Sequence, residues 1–546
     1  MKLSKVLSLL LVIVMVFTIA CAEVQSPAHV EELIIGTCSS MEPCSMMAEG
    51  GVFGHMNYTG FCAGTFLTRD ENLQIQPYIM TDWEVSEDSK EMLCTFATDK
   101  GILWHDGVPL SMDDIEFTLN FCKDNDDVNY LQSVTGYEVV SDTQIRFFFE
   151  TPRAYWTLCI MAIWQRVFPK HIWENIEDPE NYTGDDRLIG CGPYKLTNID
   201  MDASTFTYEA AAETFIDREI TVDKVIVRSY GSQDALVMAL CNGEVDAMFD
   251  YSAPIESSML STISNVENLN IGESSDLGNY MLEFGFKQYP TNDINFRKAV
   301  SKALNYPLLA ALLTGEDGQV AGTGILPPSA LGFDASLPMN EQDVESAKAI
   351  LDEAGFVDAD GDGFRETPDG EAMDIMISPC VHVFASTALL EPMLTRAAEI
   401  IQANLKDIGI KTTIDEECIR NRDYSRQLRK DGTYELLLIR PSMGINLART
   451  AYSLILDDEV SGIAYGSCLE PDISEVYLSL MSATNAEEYN AAVEKLQNMN
   501  NDNVYGIGLG WGKCYFPYRT DKYDGWINGS SWGAVNSQTW YNLYTK

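Results

Sequence analysis

The stretch Asp358–Asp369 reads DADGDGFRETPD, a dense run of hard oxygen ligands. Asp358, Asp360 and Asp362 stand at positions 1, 3 and 5 of a calcium-type loop, Gly363 supplies the bend at position 6, Glu366 stands at 9 and Asp369 at 12. Carboxylates at that spacing can converge on a calcium ion. Position 12 carries Asp, shorter than the bidentate Glu such loops use, so a plain acidic turn stands as the alternative. Beyond this structural calcium no cofactor is required.

Catalytic patterns are missing from the sequence. There is no H-E-x-x-H and no G-x-S-x-G, and RPSMG at Arg440–Gly444 lacks the first glycine. The five histidines His29, His55, His105, His171 and His382 are scattered, and His105 reads as part of the turn His105-Asp106-Gly107. No two cysteines show C-x-x-C spacing, and Cys94, Cys122, Cys159 and Cys241 lie in apolar contexts where a thiol behaves as a small hydrophobe. Binding, not catalysis, is the expected activity.

The elements that must position such residues alternate between strand and helix. At the head of Leu93–Phe121, Met92, Cys94 and Phe96 alternate with Leu93, Thr95 and Ala97 at the period of a strand. Asp106-Gly107 makes a turn, and Ser111 opens a helix whose free Asp114 amide its hydroxyl can cap. Strands are expected over 32–37, 222–229, 410–414 and 434–439, and a hairpin over 137–149. Helices are expected over 155–173, from Gln233, over 345–356, 396–409 and 486–503. Leu188–Leu196 (LIGCGPYKL) reads as a tight chain crossing, since it holds neither a full G-x-G-x-x-G nor a G-K-[ST]. Cys38–Gly64, rich in Gly, Met, Ser and aromatics, suits either a ligand-facing surface or a packed loop.

Length and charge set the outer limits. A chain of 546 residues exceeds what one core supports, so two or more lobes are expected. The formal charge of −46 excludes nucleic acid as a natural partner. Lys2, Lys5, an apolar run from Val6 to Ile19 and then Ala20-Cys21 read as an export signal, the run being shorter than the roughly 20 residues a bilayer needs. Cys21 stands where a bacterial lipoprotein is cut and acylated, although Thr18 replaces the Leu usual three residues earlier. Residues 1–20 are therefore expected to be a lipoprotein signal peptide. The mature chain would be a soluble body on a lipid tether at the cell surface or on the periplasmic side of the membrane.

The run G-I-x-W-H-D-G-x-P-L-S-x-D-D-I-x-F-T-L closely resembles the signature of the extracellular solute-binding proteins of the peptide, dipeptide and nickel importer class, family 5. Leu73–Ser86, Leu188–Leu196, the G-E-x-D within Gln233–Asp250, Tyr280–Phe286, Asn295–Tyr306 and Gly322–Phe333 resemble its further motifs in the same order. The resemblance runs from about residue 32 to the end of the chain. It implies an α/β, two-lobed periplasmic-binding-protein-like fold of type II, cluster C, with an extra inserted subdomain. Lobe I would comprise 21–52, 186–277 and 517–546, the inserted subdomain 53–185, and lobe II 278–516. Family members also carry an acidic bend like Asp358–Asp369 that merely joins a helix to a strand.

By this resemblance the protein is a monomeric substrate-binding lipoprotein of an ABC importer. It would capture a peptide or related small solute between its lobes and deliver it to permease and ATPase subunits. The alternative is a ligand-sensing surface protein or a hydrolase using the same cleft. In peptide-binding relatives a G-W-x-x-D-like element follows the strand corresponding to Leu436–Ile439, and its Asp receives the peptide's amino terminus. Here Arg440, Pro441, Ser442, Met443 and Gly444 follow instead. The missing Asp argues against free-amine recognition, and Arg440 would suit a carboxylate. Ser442 and Met443 would line the same place, with Tyr58, Trp83 and Trp511 as aromatic walls.

Overall fold

The computed structural model describes residues 28–546 except 43, 49–50, 58, 71–73, 126–130, 132, 163–164, 212–217, 250–254, 256, 276–278, 316–317, 381–386, 441–446, 462–465 and 530–532. Apolar β-branched runs build its first sheet. Leu33–Thr37 and Lys224–Ser229 lie parallel at its centre, and Val225 and Val227 are buried in the core beneath them. The strand order is Leu269–Ser275, Lys513–Arg519, Ala247–Met248, Leu33–Thr37, Lys224–Ser229, Thr205–Ala210, Tyr194–Asp200.

One buried carboxylate ties distant parts of this sheet together. Asp246 accepts from the Ile34 amide and from Lys522 Nζ, both at 2.9 Å. Its own amide donates to Ile34 O and its carbonyl accepts from Arg519 N, each at 2.7 Å. A carboxylate this deeply buried is tolerable only when charge-paired and hydrogen-bonded, as here.

The second sheet has the order Thr412–Ile414, Ile375–Cys380, Leu436–Ile439, Tyr280–Phe284, Gly506–Gly510. The helices Ile294–Ala303, Val344–Glu353 and Thr387–Asp407 cover one face, burying Phe296, Leu351 and Ile401. Between helices, Arg297 lies fully buried over the Phe286 ring at 4.6 Å. It donates to the carbonyls of Asn292, Asn503 and Val504 and reaches Glu470 at 3.5 Å, so every edge of the guanidinium has an acceptor. The chain passes between the two sheets twice, between Ser275 and Tyr280 and between Gly510 and Lys513. Lys513–Phe516, expected in lobe II, pair instead with Gly272–Ser275 in the first sheet. An amphipathic strand carries no label for which of two sheets it joins.

A third, antiparallel sheet orders Met80–Val85, Glu91–Phe96, Gln144–Phe149 and Val134–Ser141. Met92, Cys94 and Phe96 point into its core, as their alternation requires, and Gly107 takes the left-handed conformation with φ 88°. The helix Met112–Asp124 opens with the expected cap, a capping box in which the Ser111 side chain meets the Asp114 amide. In return the Asp114 carboxylate accepts from Ser111 N at 2.9 Å and from Ser111 Oγ at 3.2 Å. The same carboxylate accepts from Lys170 N at 2.9 Å, a pull that the sequence of the helix alone does not contain. The expected long helix over 155–173 divides into Ala154–Met161 and Lys170–Trp173, because Pro169 cannot continue a helix and instead opens the second one. Gly190 and Gly192 cross the 61–62 segment so closely that an added Cβ would stand 2.2 Å from Cys62 O and 2.6 Å from Phe61 O.

Glu283 is the exception to well-paired burial. It sits in a central strand of the second sheet, and neither carboxylate oxygen has a hydrogen-bond partner among the described residues. Burial pushes its pKa up to about 8, the Arg429 guanidinium opposing and Cys380 adding. The native state thus binds a proton that the unfolded chain releases near pH 4.5. Stability from this group is complete below about pH 4.5 and is lost as pH rises to about 8, by up to about 1.4 kcal/mol per pH unit. Glu283→Gln should therefore melt a few degrees above the unmodified protein at pH 8 and close to it at pH 4.5. Thermal melts across that range check this, and equal pH dependence in both proteins would contradict it.

Candidate functional site

The carboxyl ends of Ile375–Cys380, Leu436–Ile439 and Gly506–Gly510 and the start of Tyr280–Phe284 lie along one edge of the second sheet. The carboxyl ends of Leu33–Thr37, Lys224–Ser229, Ala247–Met248 and Leu269–Ser275 lie along one edge of the first, with the start of Lys513–Arg519. The two crossings join these two edges. In α/β proteins such strand ends, at the point where the chain changes direction, are where ligands bind.

Arg440 follows the last residue of the Leu436 strand. Since Met281 is register partner to Ile439, Arg440 is placed beside Tyr280, and its guanidinium carbon stands 5.5 Å from the Tyr280 ring centroid. Stacking on an aromatic face orients the planar guanidinium. Sequence reasoning missed Tyr280 as a site residue. The register of strands some 160 residues apart is what brings it there, and no local signal marks it.

Trp511 lies on the second crossing. Its amide donates to Gln319 O at 2.8 Å, its carbonyl accepts from Gln319 N at 3.0 Å, and its ring meets Phe333 edge-on at 5.6 Å. Buried to 3 % exposure, it is part of the hinge packing, with its indole N–H unsatisfied among the described residues. On the first crossing, Asn279 donates to Ile325 O at 2.5 Å. Trp83 belongs to the third sheet, opposite Cys94, and packs on that sheet's own core. Tyr58, Ser442, Met443 and Cys21 lie outside the described residues.

On the facing edge, Ser39 Oγ lies 2.8 Å from His55 Nδ1. Burial, with Arg166 nearby, lowers the His55 pKa to about 4, so this histidine is neutral at physiological pH. Much of Cys38–Gly64 is core: Cys44, Met46, Met47, Phe53, Met56 and Phe61 are all buried under the first sheet, the packed-loop alternative. The helix Ala154–Met161 packs on residues from the second half of the chain, again without a sequence signal. Trp156 of the helix Ala154–Met161 stacks under Arg449 at 4.7 Å, and Tyr155 meets Tyr489 at 5.9 Å. The histidine that pairs with Asp106 is His171, at 2.8 Å, while the His105 ring bonds the backbone of Gly190 and Gly192.

In the acidic loop, ligand oxygens of Asp358, Asp360, Asp362 and Glu366 all lie within 4.8 Å of one another. Asp369 is not among them. Glu366 forms a bridge with Ala372, and the intervening chain turns at Thr367–Gly370, which takes Asp369 away. Four carboxylates also accept backbone amides: Asp358 from Gly361 and Gly363, Asp360 from Asp362, Asp362 from Phe364, and Glu366 from Ala359. Both the turn and the ion site are served by this geometry.

The model of the bacterial extracellular solute-binding proteins, family 5 Middle, matches residues 74–459. The chain is 23% identical over 365 residues to the dipeptide-binding protein of Escherichia coli (strain K12), a stretch covering 62% of this chain and 63%, under two thirds, of that protein. To the nickel-binding periplasmic protein of the same organism it is 22% identical over 369 residues, 67% of each chain. The solved structure of HbpA2 from Haemophilus parasuis shares the fold with a TM-score of 0.77 at 16% identity, covering 94% of this chain and all (100%) of that one.

If the acidic loop holds calcium, a millimolar concentration should raise the melting temperature by mass action, and Asp360→Ala should abolish the rise. Scanning calorimetry with and without chelator decides it, and an unchanged melting temperature leaves the turn alone.

Proposed function

Because the chain belongs to the bacterial extracellular solute-binding proteins of family 5, we propose that it is the substrate-binding subunit of an ABC importer. It captures a peptide or related small solute between its lobes and passes it to a membrane permease whose ATPase supplies the work. The observation that carries this reading is that two short crossings, after Ser275 and after Gly510, each join a carboxyl edge of one sheet to that of the other. Closure about the crossings would enclose a solute without any catalytic group. The dipeptide-binding and nickel-binding relatives show by their names that one scaffold serves different solutes, so the ligand must be argued from this chain's own residues.

Arg440 supports a carboxylate-bearing solute. With a formal charge of −46, the protein repels anions at a distance, and a local guanidinium held on Tyr280 offsets that repulsion where it matters. The solute is then either one without a free α-amine or one held by its carboxylate through Arg440. Cys21 is the proposed site of the lipid tether. No helix among the described residues is long and apolar enough to cross a membrane.

Two measurements test these readings. In titration calorimetry with a peptide pool, amino-terminal acetylation should leave affinity nearly unchanged. Carboxyl-terminal amidation, or Arg440→Gln, should weaken it about tenfold or more, the value of a charge-assisted hydrogen bond. Binding abolished by acetylation would overturn the Arg440 assignment. Separately, Cys21→Ala should shift the protein from the cell envelope to the medium on fractionation, and unchanged envelope retention would contradict acylation there.

A further inference from the structure

Cys380 ends the strand Ile375–Cys380, and Cys418 lies on the short helix Glu416–Arg420 that folds back over it. Asp415 sets that helix in place. Its amide donates to Ile377 O at 2.9 Å, and its carboxylate accepts from the Glu417 amide at 3.1 Å and the Cys418 amide at 3.2 Å. Both cysteines belong to one buried cluster, and Ser425 Oγ lies 2.7 Å from Cys380 Sγ. Each cysteine is 1% exposed.

The two sulfurs are not equivalent. The Cys418 thiol, aided by the Arg429 guanidinium and the Ser425 hydroxyl and opposed by burial, holds Cys380 below the ordinary thiol range. The Cys380 side chain, then burial, holds Cys418 above it.

We propose that Cys380 and Cys418 are an oxidisable pair, closing to a disulfide as the chain folds and tying the helix Glu416–Arg420 to the cleft-side end of its strand. The oxidant is a small-molecule disulfide. The Cys380 thiolate attacks one of its sulfurs, the small molecule's S–S bond breaks, and one half leaves with the electron pair and takes up a proton. Cys418 then gives its proton to water and attacks the Cys380 sulfur, which forms the Cys380–Cys418 bond and expels the other half as a second thiolate. The protein loses two protons and two electrons, and the oxidant gains them as it becomes two thiols. Because both sulfurs are buried in the folded chain, the exchange belongs to the folding stage. It is independent of which solute is bound.

The test uses the full-length chain, refolded from urea with oxidised glutathione. It is then denatured without reductant, alkylated, digested and mapped by mass spectrometry. Expected are a linked peptide pair holding Cys380 and Cys418, two fewer alkylated thiols than in protein refolded under dithiothreitol, and a melting temperature several degrees higher that dithiothreitol reverses. Cys418→Ser should remove the oxidant-dependent rise. Links confined to other cysteines, or full alkylation of both positions after oxidative refolding, would overturn the proposal, and this readout on the unmodified chain does not depend on the variant folding.

Discussion

Two chain crossings, side by side, are the constraint from which the rest of the structure follows. The chain leaves the first sheet after Ser275 and re-enters it at Lys513, so everything between builds the second sheet and its helices. The returning strand Lys513–Arg519 is inserted between Ala247–Met248 and Leu269–Ser275. The first sheet is therefore incomplete until the last tenth or so of the chain has been made, a highly non-local arrangement. Asp246 secures the closing step, since it bonds Ile34 from the start of the chain, Lys522 from its end, and the backbone of Arg519.

The same crossings determine where a ligand can be read. They bring strand ends from both sheets to one place and are held by specific contacts, with Trp511 paired to Gln319 and packed on Phe333 and Asn279 bonded to Ile325. The helix Ala154–Met161 adds a bracket from the third sheet, because Trp156 and Cys159 share a core with Tyr477, Tyr489 and Val493 of the second lobe. The inserted subdomain is thus not an isolated ornament on the first lobe.

Buried charge is treated in contrasting ways across the molecule. Arg297 has an acceptor at every edge, and Asp246 has a cation and an amide, so burial leaves neither without partners. Glu283 lacks hydrogen-bonding partners among the described residues and resolves the same problem by holding its proton. Cys380, nearby under the same sheet, resolves it through Cys418 and Ser425.

What the sequence by itself determined is local. The Asp106-Gly107 turn, the alternation of Met92, Cys94 and Phe96 and the helix Ala486–Asn503 depend on neighbours within a few residues, and each was legible. The two-lobed architecture was legible too, because several such motifs in fixed order resemble one family. The tertiary structure alone decided the rest. It chose the sheet that Lys513–Phe516 joins, gave Asp106 to His171, separated Asp369 from the other acids and set Arg440 on Tyr280. Each of these depends on strand register or packing between residues far apart in the chain, and periodicity within a segment carries no information about which distant segment will face it.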